Sequence, residues 1–117
     1  MLARGLALGR IALGAGIAVA PARMSRGWVG EDGARPGAQV IGVGLGARDV
    51  AVGVGSLLAL ERGGDARTWL AASVLCDAAD AIATFSRRDA LPPVGAIGVT
   101  ALAGGAALVG LWVLKDL

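Results

Sequence analysis

The chain has 117 residues, of which 56% are hydrophobic and 17% charged, with a formal net charge of +2 and a mean hydropathy of +0.70. A disordered chain would be polar and charge-rich, and soluble domains sit nearer roughly 45–50% apolar and 25% charged, so this composition points away from both. Histidine is absent, which excludes His-ligated haem and most zinc or copper sites, and the single Cys76 cannot form an intrachain disulfide.

Four apolar segments follow one another along the chain. The first runs from about Leu2 to Ala22 and carries Arg10. Its Ala18-Val19-Ala20 ending imitates a signal-peptide cleavage site. Pro21 would follow the cut, however, so the segment is read as a retained span. The link from Pro21 to Gly37 holds prolines, charges and glycines. A short interfacial helix is expected there around Met24–Val29, with Ser25-Arg26-Gly27-Trp28 as an anchor. The second segment, about Ala38 to Leu60, contains Arg48-Asp49 at its centre. Gly63-Gly64 lies among charges in the next link. The third, about Thr68 to Phe85, contains Ser73, Cys76, Asp77, Asp80 and Thr84. A link with Arg87, Arg88, Asp89 and Pro92-Pro93 leads to the fourth, about Val94 to Leu114.

Each segment approaches the roughly 20 residues that cross a bilayer as a helix. Helices are required because an open sheet edge cannot stand in hydrocarbon. Two short links imply antiparallel neighbours. The expected fold is therefore all-α: a single domain over residues 1–117, built as a four-transmembrane-helix antiparallel bundle. Basic residues divide almost evenly between the two ends of the bundle, so the positive-inside rule does not set its orientation.

Alanine and glycine make up 45 of the 117 residues. Gly5 and Gly9, Ala12 and Gly16, and Gly42 and Gly46 are each spaced four apart, as are Ala96, Thr100 and Gly104; Ala106 and Gly110 repeat the step. Such spacing makes flat stripes on which helix backbones can approach closely.

The informative feature is charge where lipid should be. A charge at the centre of a spanning helix costs roughly 2.5–3.5 kcal/mol on insertion scales. Arg10, Arg48, Asp49, Asp77 and Asp80 should therefore cluster, and at about 1.5 Å of rise per residue they occupy a slab of about 8 Å. Ser73, Asp77, Asp80 and Thr84 fall on one helical stripe. Arg48 and Asp49 lie about 100° apart and can address different neighbours; Arg48 is expected to pair with Asp77, Asp80 or both. The cluster sums to −1, or −2 if Arg10 reaches the interface. That surplus implies a proton or a cation. Cys76 is read as a small buried hydrophobe.

Three functional readings follow. In the first, the cluster of Arg10, Arg48, Asp49, Ser73, Asp77, Asp80 and Thr84 binds a polar group or proton, in a small carrier or complex subunit. In the second, Asp77, Asp80 and Arg48 are catalytic in a membrane-embedded acid/base enzyme, such as an epoxide hydrolase or cyclase acting on a lipophilic substrate. In the third, the cluster only locks helix register. The expected partners are the lipid bilayer, a lipophilic small molecule, and a homo-oligomer or larger membrane complex. No GxxxxGK[ST] motif occurs, and basic residues are scattered among acids with few aromatics. Nucleic acid is accordingly not an expected partner, and no metal or other cofactor is expected.

Gly46-Ala47-Arg48-Asp49 in the glycine-rich second span, with Asp77 in the third, resembles small bacterial four-helix membrane proteins that are DoxX-like in layout. The resemblance implies an intact four-span bundle in a bacterial cytoplasmic membrane and supplies no activity.

Overall fold

The computed structural model describes residues 2–117. It contains helices α1 (Leu2–Val19), α2 (Pro21–Val29), α3 (Pro36–Arg62), α4 (Ala66–Ser86) and α5 (Pro93–Leu114), with single 3-10 turns at Glu31–Ala34 and Arg88–Ala90. Among the described residues there is no strand. Helices α1, α3, α4 and α5 are each long and apolar enough to cross a membrane. The protein is an all-α, integral membrane bundle, 42 Å along its longest axis, close to the roughly 40–45 Å of a bilayer with its headgroups.

Local chemistry explains the helix boundaries. Proline opens α2, α3 and α5, where its missing N–H costs nothing and its φ suits a first turn. The first span ends at Val19 rather than near Ala22. Pro21 cannot continue a helix, because it lacks the N–H and its ring crowds the preceding turn. It starts α2 instead, which is the short helix expected around Met24–Val29. At the end of α3, Gly63 takes φ +70° and the Gly64 N–H returns to the Ala59 carbonyl, closing the last turn as only glycine does cheaply. Asp65 then caps α4, its carboxylate accepting from the Thr68 N–H at 3.0 Å and from the Thr68 hydroxyl at 2.5 Å.

The packing is inverted relative to a soluble bundle. Val40, Ile41, Leu75, Ile97 and Leu108 are about 70% exposed, while the buried apolar positions are mostly alanines, among them Ala7, Ala59, Ala96, Ala103 and Ala107. Large aliphatic groups face outward because lipid, unlike water, does not expel them; helices then meet through small residues. Helix α1 pairs along its length with α3, and α4 with α5. Helices α3 and α4 join the two pairs, while α1 and α5 touch only sparsely. Helix α2 packs against α5, α1 and α3, at the end of the bundle remote from both chain termini.

The α1–α3 seam is a backbone contact. A Cβ on Gly14 would lie 2.6 Å from the Gly46 carbonyl oxygen, and one on Gly46 2.6 Å from the Ala18 nitrogen. Gly53 meets Ile11 equally closely. The face of α3 that does this carries Gly42, Gly46, Asp49, Gly53 and Ser56, at helical spacing. Gly5 and Gly9, by contrast, have no neighbour within 4 Å of where a Cβ would stand. They belong to an open face and not to the helix seam.

Candidate functional site

Arg10 sits on the buried face of α1 with Ala7 and Gly14. Its side chain is only 7% exposed. One guanidinium nitrogen, Nη1, donates to Asp49 Oδ1 of α3 at 2.7 Å. The other, Nη2, donates to Asp77 Oδ1 and, at 3.1 Å, to the Ser73 carbonyl oxygen, both on α4. A single guanidinium thus ties together three helices long and apolar enough to span a membrane. Planar fork geometry suits this: the two ends of the fork address two carboxylates at once. Asp49 and Asp77 are themselves largely covered, at 13% and 16% side-chain exposure.

Arg48 behaves otherwise. Its side chain is exposed, and it makes no ion pair among the described residues. The expected pairing of Arg48 with Asp77 or Asp80 is therefore replaced by pairing through Arg10. The reason is rotational. With Gly42, Gly46 and Gly53 pressed on α1, Asp49 shares the inward face and Arg48, about 100° around the helix, is turned out. Arg10 consequently does not snorkel to the interface.

The rest of the predicted set divides. Asp80 lies one helical turn beyond Asp77 and lines the same cavity. Among the described residues it has no hydrogen-bond or ion-pair partner. Ser73 contributes its backbone carbonyl to Arg10 and also lines the cavity. Thr84 does not join the cluster. It is buried and accepts a hydrogen bond at 3.0 Å from the Trp28 indole N–H, which fastens α2 to α4. Cys76 is partly covered on the same helix.

Beside the cluster lies a cavity of about 500 Å³. Leu6, Leu13 and Ile17 of α1 form one wall, and Val99, Leu102 and Val109 of α5 the other. Gly5 and Gly9 widen it, since neither fills the space before it. Met24, Gly27 and Trp28 bring α2 to its end. Arg10, Asp49, Asp77 and Asp80 supply the charged floor. The site is an apolar cavity with titratable side chains gathered at one place, lying where α1 and α5 touch only sparsely. Trp28 and the α5 wall carried no advance signal: an indole at a span end reads as an interfacial anchor, and α5 carries no charged residue.

No protein-family model, curated protein or solved structure matches the chain.

Proposed function

We propose that this integral membrane protein takes a small lipophilic molecule into the α1–α5 cavity and seats its polar group on the Arg/Asp floor. The protein would serve as a small carrier or as the binding subunit of a membrane complex. The supporting observation is the cavity, whose aliphatic walls end on Asp80, a carboxylate left without a partner. Arg10, Asp49 and Asp77 would suffice as a register lock. Neither the chamber nor Asp80 is needed for that role, and a fourth charged group in hydrocarbon is costly to retain. Pockets of this size with a few polar groups on an apolar lining are typical of small-molecule sites.

Gly9→Leu tests the reading, because Gly9 lines the cavity and a Cβ there would have no other atom within 4 Å. The wild-type protein, purified in a neutral detergent, is expected to carry a stoichiometric lipophilic compound identifiable by mass spectrometry of an organic extract. Gly9→Leu should fold and lose it. Equal occupancy in the two proteins would overturn the proposal.

A second reading has its own support in Arg10 clamping Asp49 and Asp77 from two different helices. Carboxylates held by a guanidinium beside an unpaired third one suit acid/base work. Asp77, as a carboxylate, takes a proton from a water whose oxygen bonds to the epoxide carbon, while Asp80, in its protonated form, gives its proton to the epoxide oxygen as that C–O bond breaks. In that reading Arg10 takes the role expected of Arg48. Conversion of a lipophilic epoxide to its diol, abolished by Asp77→Asn, is the expected signature.

A further inference from the structure

The charge on the cavity floor selects the ligand. Asp49 and Asp77 share the one guanidinium of Arg10, so these three groups carry a formal −1. Asp80 adds another −1 and makes no ion pair among the described residues. Arg48, the other basic residue at this depth, is turned to the outside and does not offset it. The cavity therefore presents a formal −2 to whatever enters, on a mostly apolar lining.

An inorganic cation is not what these groups are arranged for. Among the described residues no three carboxylate or thiol groups come together as metal ligands. Asp49 and Asp77 spend oxygens on Arg10, and only Asp80 is left to coordinate. A hard divalent ion would need six or more oxygens. An anion fits no better. Three guanidinium hydrogen bonds of Arg10 are already committed, and an incoming carboxylate or phosphate would stand against three aspartates. An organic cation fits both halves of the chamber: its ammonium N–H groups can donate to Asp80, which as a carboxylate only accepts, and its body can lie along the aliphatic walls. The Trp28 indole also borders the chamber, and aromatic faces favour cations.

Resting on the cavity reading above, we propose that the site is selective for lipophilic amines in their protonated form, with the ammonium group held at Asp80. The amine partitions into the bilayer through its apolar body and enters between α1 and α5, and the carboxylate surplus discriminates it from neutral and anionic molecules of the same shape.

The test uses three probes that share one body: 4-phenylbutylamine, 4-phenylbutan-1-ol and 4-phenylbutyrate. At neutral pH they are cationic, neutral and anionic. Binding to the full chain in a neutral detergent is measured by calorimetry. The amine is expected to bind about tenfold more tightly than the alcohol, and the carboxylate most weakly, because a charge pair in a desolvated site outweighs a neutral hydrogen bond. Asp80→Asn should bring amine and alcohol to within about threefold of each other while leaving alcohol binding in place. Asp80→Ser serves as a second variant should the amide disturb folding. Alcohol binding as tight as amine binding in the wild type overturns the amine assignment and leaves the cavity reading standing, as does an amine preference that survives both Asp80 variants. Failure of all three probes to bind, or binding unchanged by Gly9→Leu, overturns the cavity reading and this inference with it.

Discussion

Helix α1 has two glycine-bearing faces, and they serve opposite ends. Toward α3, Gly14 lets the backbone come against Gly46, so that neither position has room for a Cβ. Toward α5, Gly5 and Gly9 face open space and widen a chamber. The same residue type closes one seam and holds the other open. What separates them is the partner: α3 answers with its own small residues, while α5 presents Leu102 and Val109 to the chamber and stays apart. A small-residue stripe is thus half of a seam, and its meaning depends on the helix opposite.

Arg10 stands where the two faces meet, and its removal should have the largest effect. Arg10→Met leaves Asp49 and Asp77 buried without a counter-charge, at a cost of about 3–5 kcal/mol. Arg48→Ala removes an unpaired charge from the outer face of a span and should leave stability unchanged or raise it. Unfolding of both variants by a denaturing detergent in mixed micelles gives the two values. A larger loss for Arg48→Ala would mean that α3 is rotated from the orientation described.

The closed seam is tested next. Gly46→Leu forces α1 off α3 and should destabilise by about 1–3 kcal/mol through overpacking. Gly9→Leu, on the open face, should stay within about 0.5 kcal/mol of the wild type. Equal losses would erase the difference between the faces. A smaller effect is expected at the end of the chamber. Trp28→Phe removes the hydrogen bond to Thr84 and should cost about 1 kcal/mol, with faster hydrogen exchange across α2 as the more specific readout.

The smallest expected effect lies outside the membrane, at the cap between α3 and α4. The Thr68 hydroxyl, and after it the Thr68 backbone N–H, hold the Asp65 carboxyl below its ordinary range. A carboxyl with a lowered folded-state pKa stabilises above the ordinary Asp value, and the contribution fades as pH falls through the lowered value. The melting-temperature gap between wild type and Asp65→Asn should therefore be present at neutral pH and close on acidification. A gap that widens in acid would contradict the cap. Because Asp65 lies on neither face of α1, this variant also serves as the control against which the Gly46→Leu and Gly9→Leu losses are judged.

Much of the architecture was legible in the chain before any coordinate. The four spans follow from runs of apolar residues, and a short helix around Met24–Val29 follows from the length of the first link. Residue spacing alone placed Ser73, Asp77, Asp80 and Thr84 together on one face of α4. Those features are local: hydropathy over about 20 residues and a helical period of 3.6 need no knowledge of neighbours. Which arginine enters the cluster was not local. Arg48 and Asp49 are adjacent in sequence, and only the rotation of α3 about its own axis separates them. The spacing of Gly42, Gly46, Asp49, Gly53 and Ser56 marked the inward face and could have singled out Asp49 over Arg48, but only once close packing of α3 on α1 was assumed. Thr84 shows the same dependence, since the partner that removes it from the cluster, Trp28, is 56 residues away. The cavity was the least legible feature of all. An empty space belongs to no residue; it arises because α1 and α5 carry side chains that do not mesh, a property of two surfaces brought together and of neither one alone.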